Sequence, residues 1–419
     1  MLRILKFIGA FLGTFLVIFF LVFGFNMNAL FTLLENSEDL QEGQEWVEKT
    51  QSLKGLTEYI AEQPERVSIA SIAINNPDSS ILYNEHTPRS MGILSNIFTV
   101  IEYARQVEQG ELNPNEQVPL SDVDIYQLPY IDESNHSNAV GWLNDMDKIS
   151  KKNTVSLSDL IRISVEHNDL AASDYLYFKI GGKQIESLMD SLELQDTESP
   201  LPFSGLYSAL KPSVFGMTVQ ERLDSLSVMD RQTFDSLAVA ISRKIALNES
   251  FRDSVISDFR NDEGLGLQFT QQRNLLDFFP KTTAWEMANL MKKIQQKKLI
   301  SEEVSKRIQD IMSWPLENGR LQKDFQNYGA YYDSRLGLVN GIDFGASTYS
   351  KEPFAQAVFF DDLQVAFWFH MSSNLIHQDF EQRLIWDPAM REATIREIEK
   401  TNNQEVTLLQ ENMEAPIDE

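Results

Sequence analysis

Ser95 stands at the start of an apolar helical pattern, where a serine with a base beside it could attack a carbonyl carbon. The base is missing: Phe98 stands three residues on, and no lysine occurs between Ile93 and Gly110. Ser95 is therefore a weak candidate nucleophile. Asp169 opens a second apolar helix, where a carboxylate suffices as a cap or loop brace accepting backbone N–H groups. Further along, Asp333-Ser334-Arg335 falls in a strand-rich stretch. Its arginine could hold a carboxylate through two parallel hydrogen bonds, or pair with Asp333 or another acid. The five histidines (His86, His136, His167, His370 and His377) show no H-E-x-x-H or paired-ligand spacing, so no metal site and no cofactor are expected. No G-x-G-x-x-G or phosphate-cradling loop occurs, and Gly337, Gly341 and Gly345 read as turn or bulge residues.

Composition narrows the class of molecule. The chain has 419 residues, 42% of them hydrophobic, which indicates a folded globule rather than a disordered or fibrous chain. Its 62 acidic residues against 36 basic ones give a net charge of −26, which repels phosphate backbones and excludes nucleic acid as a partner. With no cysteine there is no disulfide framework, thiolate metal site or cysteine nucleophile. Phe7–Phe25 is uncharged and apolar, long enough as a helix to cross most of a bilayer, and its length favours a signal anchor over a cleaved signal peptide. Arg3 and Lys6 before it, and Glu35, Glu38 and Asp39 after it, place the N-terminus in the cytoplasm. The expectation is a single-pass protein of the cytoplasmic membrane, with residues 1–36 as anchor and the C-terminal domain on the extracytoplasmic side.

Periodicity supplies the elements. Ser37–Gln63 is helical; Val67–Ile74 and Ile81–Tyr83 read as a hairpin; Ile93–Gln109 is a helix ended by Gly110. From Leu120 to about Trp314 the 3.6 period dominates, in Leu157–Ser164, Ala171–Ile180, Gln184–Leu192, Val219–Asn248 and Ala284–Ile311. Three late strands are expected in YGAYYDSRLGL, FAQAVFF and QVAFWFHM, with His370 at the end of the last. A C-terminal helix and a solvated acidic tail at 401–419 follow. These elements describe an α/β fold: an antiparallel sheet built from both ends of the chain, flanking helices, and an inserted helical subdomain at about 115–325. The whole domain spans about 37–400.

Three segments carry a resemblance. GILSNIFTVIEYARQVEQGELNPNEQVPL (Gly92–Leu120), HNDLAASDYLYFKIGG (His167–Gly182) and PKTTAWEMANLMKKIQQKKLISEEVSKRIQDIM (Pro280–Met312) follow one another as in the penicillin-recognising serine hydrolases. The chain resembles the class A β-lactamases most closely, over roughly Leu53 to Ser373. That resemblance implies a β-lactamase/transpeptidase-like fold and a site built on Ser-x-x-Lys, Ser-Asp-Asn and Lys-Thr/Ser-Gly. Counting back from Gly110, the serine position falls on Ile93 and the lysine position on Asn96. Ile93 has no nucleophilic atom and Asn96 no titratable group. Counting back from Ile180-Gly181-Gly182, Ser-Asp-Asn maps to Asn168-Asp169-Leu170, and the third motif to the region of Ser334 and Arg335. The deacylating Glu-x-x-Leu-Asn has no counterpart, and an extra charged helical stretch occupies about 218–274.

The expectation is a catalytically degenerate β-lactamase-like domain with a binding or structural role in the cell envelope. Its partners would be a cell-wall peptide or β-lactam-like ligand, or an envelope protein. The alternative is an active serine β-lactamase or hydrolase working through an altered site.

Overall fold

Strands covered on both faces are buried along their length, and three strands at the centre of this molecule are, although they include polar residues such as Ser71, Asn340, Asp343 and Gln356. The computed structural model describes residues 37–313 and 325–414. Its main sheet takes β1 (Val67–Ala73) and β2 (Ile81–Tyr83) from one end of the chain. The pairs β3 (Arg89–Ser90) with β6 (Lys281–Thr282), and β4 (Gln117–Pro119) with β5 (Thr154–Ser156), stand apart from it. From the other end come β7 (Phe325–Asp333), β8 (Val339–Ser347) and β9 (Pro353–Phe360). The order is β2-β1-β9-β8-β7, every neighbour antiparallel, with Val67 opposite Phe360 and Val339 opposite Phe360 on the other side. This is the antiparallel sheet expected from both termini.

Side chains alternate between the two faces with period two. Val67, Ile69, Val358 and Phe360 meet helices from the chain ends: α1 (Ser37–Lys49), α2 (Leu53–Glu62) and, later, α16 (Val365–Ser373), α17 (Ile376–Trp386) and α18 (Pro388–Glu414). Ala70, Ile72, Ala357 and Phe359 face the helical block and join its large core. That block begins with α3 (Ile97–Glu108), α4 (Leu120–Asp124), α5 (Glu133–Asp145), α6 (Leu157–Glu166), α7 (Leu170–Ile180) and α8 (Gly182–Ser191). It continues with α9 (Phe203–Leu210), α10 (Val219–Ser227), α11 (Arg231–Leu247), α12 (Glu249–Asn261) and α13 (Phe269–Asn274), and closes with α14 (Ala284–Gln295) and α15 (Glu302–Met312).

Two expectations near the C-terminus are corrected. QVAFWFHM is not a strand: it forms α16, with Phe367 and Met371 inward, and His370 lies on a helix. The third late strand is β8 instead, VNGIDFGAS, buried along its whole length between β7 and β9. Gly341 and Gly345 therefore serve close approach rather than turns, since a Cβ on either would collide with Glu381 or with Tyr328. Gly337, at φ +91°, does make the turn between β7 and β8. The apolar segment Phe7–Phe25 lies outside the described residues; among those described, no helix is long and apolar enough to cross a membrane.

The stretch at about 218–274 is tied into the block. Phe234, Ala238 and Ile245 of α11, and Val255 and Phe259 of α12, belong to the main core. The buried Arg222 side chain donates from Nε to the Ala209 carbonyl at 3.0 Å, satisfying the C-terminal end of α9. At the other end of α9, Asp174 accepts the Ser204 N–H at 2.7 Å and the Phe203 N–H. Burial raises the Asp174 carboxyl to about 7, against those hydrogen bonds, which favour the charge. The folded state thus holds a proton that the unfolded chain, with an ordinary carboxyl near 4, has released. Its share of stability is greatest below about pH 4 and falls as pH rises through about 7, by up to about 1.4 kcal/mol per pH unit. Urea denaturation between pH 4 and 8 should show a slope of that sign, and Asp174→Asn should make it shallower, the remainder coming from other buried carboxyls such as Asp132.

Candidate functional site

Gly92 sets the entrance to α3. Its φ of +53° starts a 3₁₀ turn, Gly92–Asn96, and a Cβ there would collide with the Asp333 carboxylate. That carboxylate, at the end of β7, accepts the Ile93 N–H at 2.6 Å, while the Tyr331 hydroxyl donates to the Ile93 carbonyl at 3.1 Å. The Ile93 side chain itself is 2% exposed, packed in the main core. Asn96 is buried too, and its Nδ2 donates to the Ser164 hydroxyl at 3.1 Å. Ser95 is turned away from solvent altogether, with its hydroxyl donating to the Gly92 carbonyl at 3.0 Å. It is a buried, hydrogen-bonded hydroxyl.

The junction between α6 and α7 forms the opposite wall. Asn168 takes a φ of +52°, donates from Nδ2 to the Tyr332 carbonyl at 3.0 Å, and offers its own carbonyl to Arg335 Nη2 at 2.8 Å. Asp169 caps α7 by accepting the Ala172 N–H at 3.0 Å, the structural role its position suggested. Leu170 begins α7 and is buried. Arg335 lies 3.9 Å from Asp333 and 3.9 Å from Asp132. Burial raises the Asp333 carboxyl above the usual range, and the Arg335 charge opposes it. For Asp132, burial and then the Asp169 charge push the carboxyl up to about 7, again against Arg335. Burial likewise lifts the Tyr207 hydroxyl beside Arg335 to about 12.

Beneath this wall the fold assembles a group that the sequence pattern did not single out. His136, in the first turn of α5, approaches Asp169 at 3.0 Å through Nδ1 and Asp124 at 3.1 Å through Nε2. Burial works against a charge on its ring, but the hydrogen bonds to Asp124 and Asp169 outweigh it and lift its pKa to about 10. One donor atom from each of Asp132, His136 and Asp169 lies within 4.8 Å of the others. The Asp132–His136 spacing of four residues at a helix start is the one local signal, and it falls outside the H-E-x-x-H type of pattern. Asp169 is brought in only by the tertiary fold.

Two cavities flank the seam. One, of about 170 Å³, reaches Tyr331, Asp333 and Ser334 from the Met312 side. The other, of about 560 Å³, lies over Asn135, Asn168, Ser334 and Arg335, with Tyr130 and Trp368 at its edge. The positions aligned from the sequence, Ile93, Asn96, Asn168, Asp169, Leu170, Ser334 and Arg335, therefore converge. Only Asn168, Ser334 and Arg335 among them line the larger cavity. Tyr331, Ser164, Tyr207 and Asp132, not read from the sequence, complete the contacts between the walls.

No curated protein matches the chain. Among solved structures, a beta-lactamase from Sphaerobacter thermophilus is 13% identical, with 82% of this chain and 95% of that one covered and a TM-score of 0.46. A beta-lactamase from Chitinophaga pinensis is 15% identical over 84% and 99%, with a TM-score of 0.45, and PBP-A is 12% identical over 79% and 97%, with a TM-score of 0.41. The family description "Beta-lactamase enzyme family" matches residues 51–378, well over half of the sequence and all of the converging positions, so the chain belongs to the beta-lactamase family.

Proposed function

We propose that this chain is a catalytically silent member of its family. In this reading a membrane-anchored, extracytoplasmic domain binds a cell-wall peptide or β-lactam-like ligand in the cavity over Asn168 and Arg335 and does not cleave it. The observation that carries the reading is the hydrogen bond from the Ile93 N–H to Asp333. Acyl transfer needs donors aimed at the oxygen on which negative charge develops. Here the N–H at the aligned nucleophile position already holds a carboxylate, and an anion there opposes a second one. Ile93 and Asn96 add neither a nucleophile nor an amine. What remains suits binding: polar groups from Asn135, Asn168 and Arg335 with aromatic edges from Tyr130 and Trp368. The anchor in this reading rests on the hydropathy of Phe7–Phe25.

Intact-mass spectrometry of the full chain in detergent, after incubation with a reporter penicillin, tests it. The expected result is an unmodified mass and no hydrolysis of a chromogenic cephalosporin. A covalent adduct on Ser95, or turnover lost in Ser95→Ala, would establish an active serine hydrolase instead.

A further inference from the structure

We propose that Asp132, His136 and Asp169 form a binding site for one Zn²⁺ ion. The inference stands apart from the reading of the cavity as a ligand site. Two segments meet there: Asp132 immediately precedes α5 and His136 lies in its first turn, while Asp169 caps α7. A donor atom from each falls within 4.8 Å of the other two, and all three side chains are buried.

A second observation points to a missing ligand. Asp132 is 1% exposed, and its Oδ1 has no hydrogen-bond partner. The other oxygen accepts the Ala171 N–H at 3.0 Å, which anchors the carboxylate and leaves Oδ1 free. Arg335 Nη2 stands 3.9 Å away, beyond hydrogen-bond reach, and Arg335 is shared with Asp333. A buried carboxylate oxygen in that state carries a desolvation cost that a cation would offset.

The surroundings favour a metal ion. Asp124 accepts from His136 Nε2 at 3.1 Å and so turns Nδ1 towards Asp169; Zn²⁺ would take the place of the proton on Nδ1, which is released to solvent, while the Nε2–H stays on Asp124, and a carboxylate on the far ring nitrogen is the usual support of a metal-binding histidine. Asp124, Asp132, Asp169 and Asp333 gather around one arginine and one histidine, and a dication lowers that excess of negative charge. One imidazole nitrogen with two carboxylates selects Zn²⁺ over Mg²⁺ and Ca²⁺, which prefer oxygen alone, and leaves a fourth position for water. The half-exposed Asp124 side chain marks the route from solvent. Such an ion would clamp the end of α4, α5 and α7 together under the cavity wall that Ile131 and Asn135 provide.

Calorimetric titration of the EDTA-treated full chain with Zn²⁺ tests the site. Expected are one ion bound per chain, a Tm raised by Zn²⁺ but not by Mg²⁺, affinity reduced at least about tenfold in Asp132→Asn and in His136→Gln, and about 10–100-fold in Asp124→Asn. Crystals of the unaltered protein soaked in Zn²⁺ should show a zinc-edge anomalous peak among the three side chains, a readout independent of whether any variant folds. No binding, affinity unchanged in both ligand variants, or a peak elsewhere overturns the proposal.

Discussion

Replacing Arg335 by methionine should cost the folded domain about 3–5 kcal/mol, read as a lower midpoint in urea at pH 7.5. Methionine fills a similar volume, so the loss reports charge rather than a cavity. Arg335 stands 3.9 Å from both Asp132 and Asp333, two carboxylates that are almost wholly buried, and donates to the Asn168 carbonyl at 2.8 Å. Removing one member of a buried ionic group leaves its partners uncompensated, which is why the effect exceeds that of a surface pair by several-fold. The variant also carries its own signature. Without Arg335, whose charge opposes the effect of burial, the stranded carboxyls keep their protons to a still higher pH than in the unaltered protein. Its stability therefore rises more steeply than that of the unaltered protein as pH falls from 7.5 towards 5, and the gap between them narrows. Arg335→Lys should recover part of the loss, because an ammonium restores the charge but cannot reach both carboxylates and the Asn168 carbonyl with one rigid fork. A loss below about 1 kcal/mol would show that Arg335 behaves as a surface cation.

How far the sequence reaches is best seen element by element. The helix read over Ile93–Gln109, which the structure opens with a 3₁₀ turn and continues as α3 from Ile97, its end at Gly110 and the hairpin β1–β2 were legible because each combines a clear period with turn chemistry. The alignment counted back from Gly110 and from Ile180 also brings residues together in space: Ile93 reaches Asn168 through Asp333 and Arg335. The strand β8 was missed for a physical reason. Its Asn, Gly and Asp residues oppose strand formation locally, yet Gly341 and Gly345 are required where Glu381 and Tyr328 press on the sheet, and Asp343 is held by the Tyr328 hydroxyl at 3.3 Å. The helix α16 was read as a strand because a short apolar run such as VAFWF fits both periods, and only its packing on Trp46 and Tyr59 decides.

The site divides in the same way. The register that sets Ile93 and Asn96 against the family's serine and lysine needed only counting back from Gly110. That Asp333 would take the Ile93 N–H did not follow from any local pattern, since the two residues are 240 positions apart and meet because β7 ends beside the Gly92 turn. The same holds for His136 and Asp169, which are 33 positions apart. A histidine without a neighbouring ligand motif reads as isolated in the sequence. Two carboxylates on its ring nitrogens make it the centre of a buried polar group.

Gly205→Ala should be the most damaging single-methyl addition in the helical block, with a loss on the order of 3 kcal/mol or more and a lowered Tm. A Cβ on Gly205 would fall inside the contact radius of the Ala238 carbonyl oxygen, a backbone atom that cannot rotate away, with the Ser242 Cβ also within 2.9 Å. To admit the methyl group, α9 and α11 must separate. Their separation breaks the Ser204–Ser242 hydroxyl contact at 2.6 Å and tilts the start of α9 off the Asp174 carboxylate. It also loosens Leu206 and Phe234, both in the main core. The matching control is Gly141→Ala on the exposed face of α5, where a Cβ meets nothing within 4 Å. There the same chemical change relieves only the entropic cost of a helical glycine and should stabilise by about 0.5–1 kcal/mol. Opposite signs from one added methyl group would show that the stretch at 218–274 is fastened to the domain through the α9–α11 contact. Equal, small effects would mean that the two helices separate freely, and the stretch would then be an appendage that can be removed without unfolding the rest.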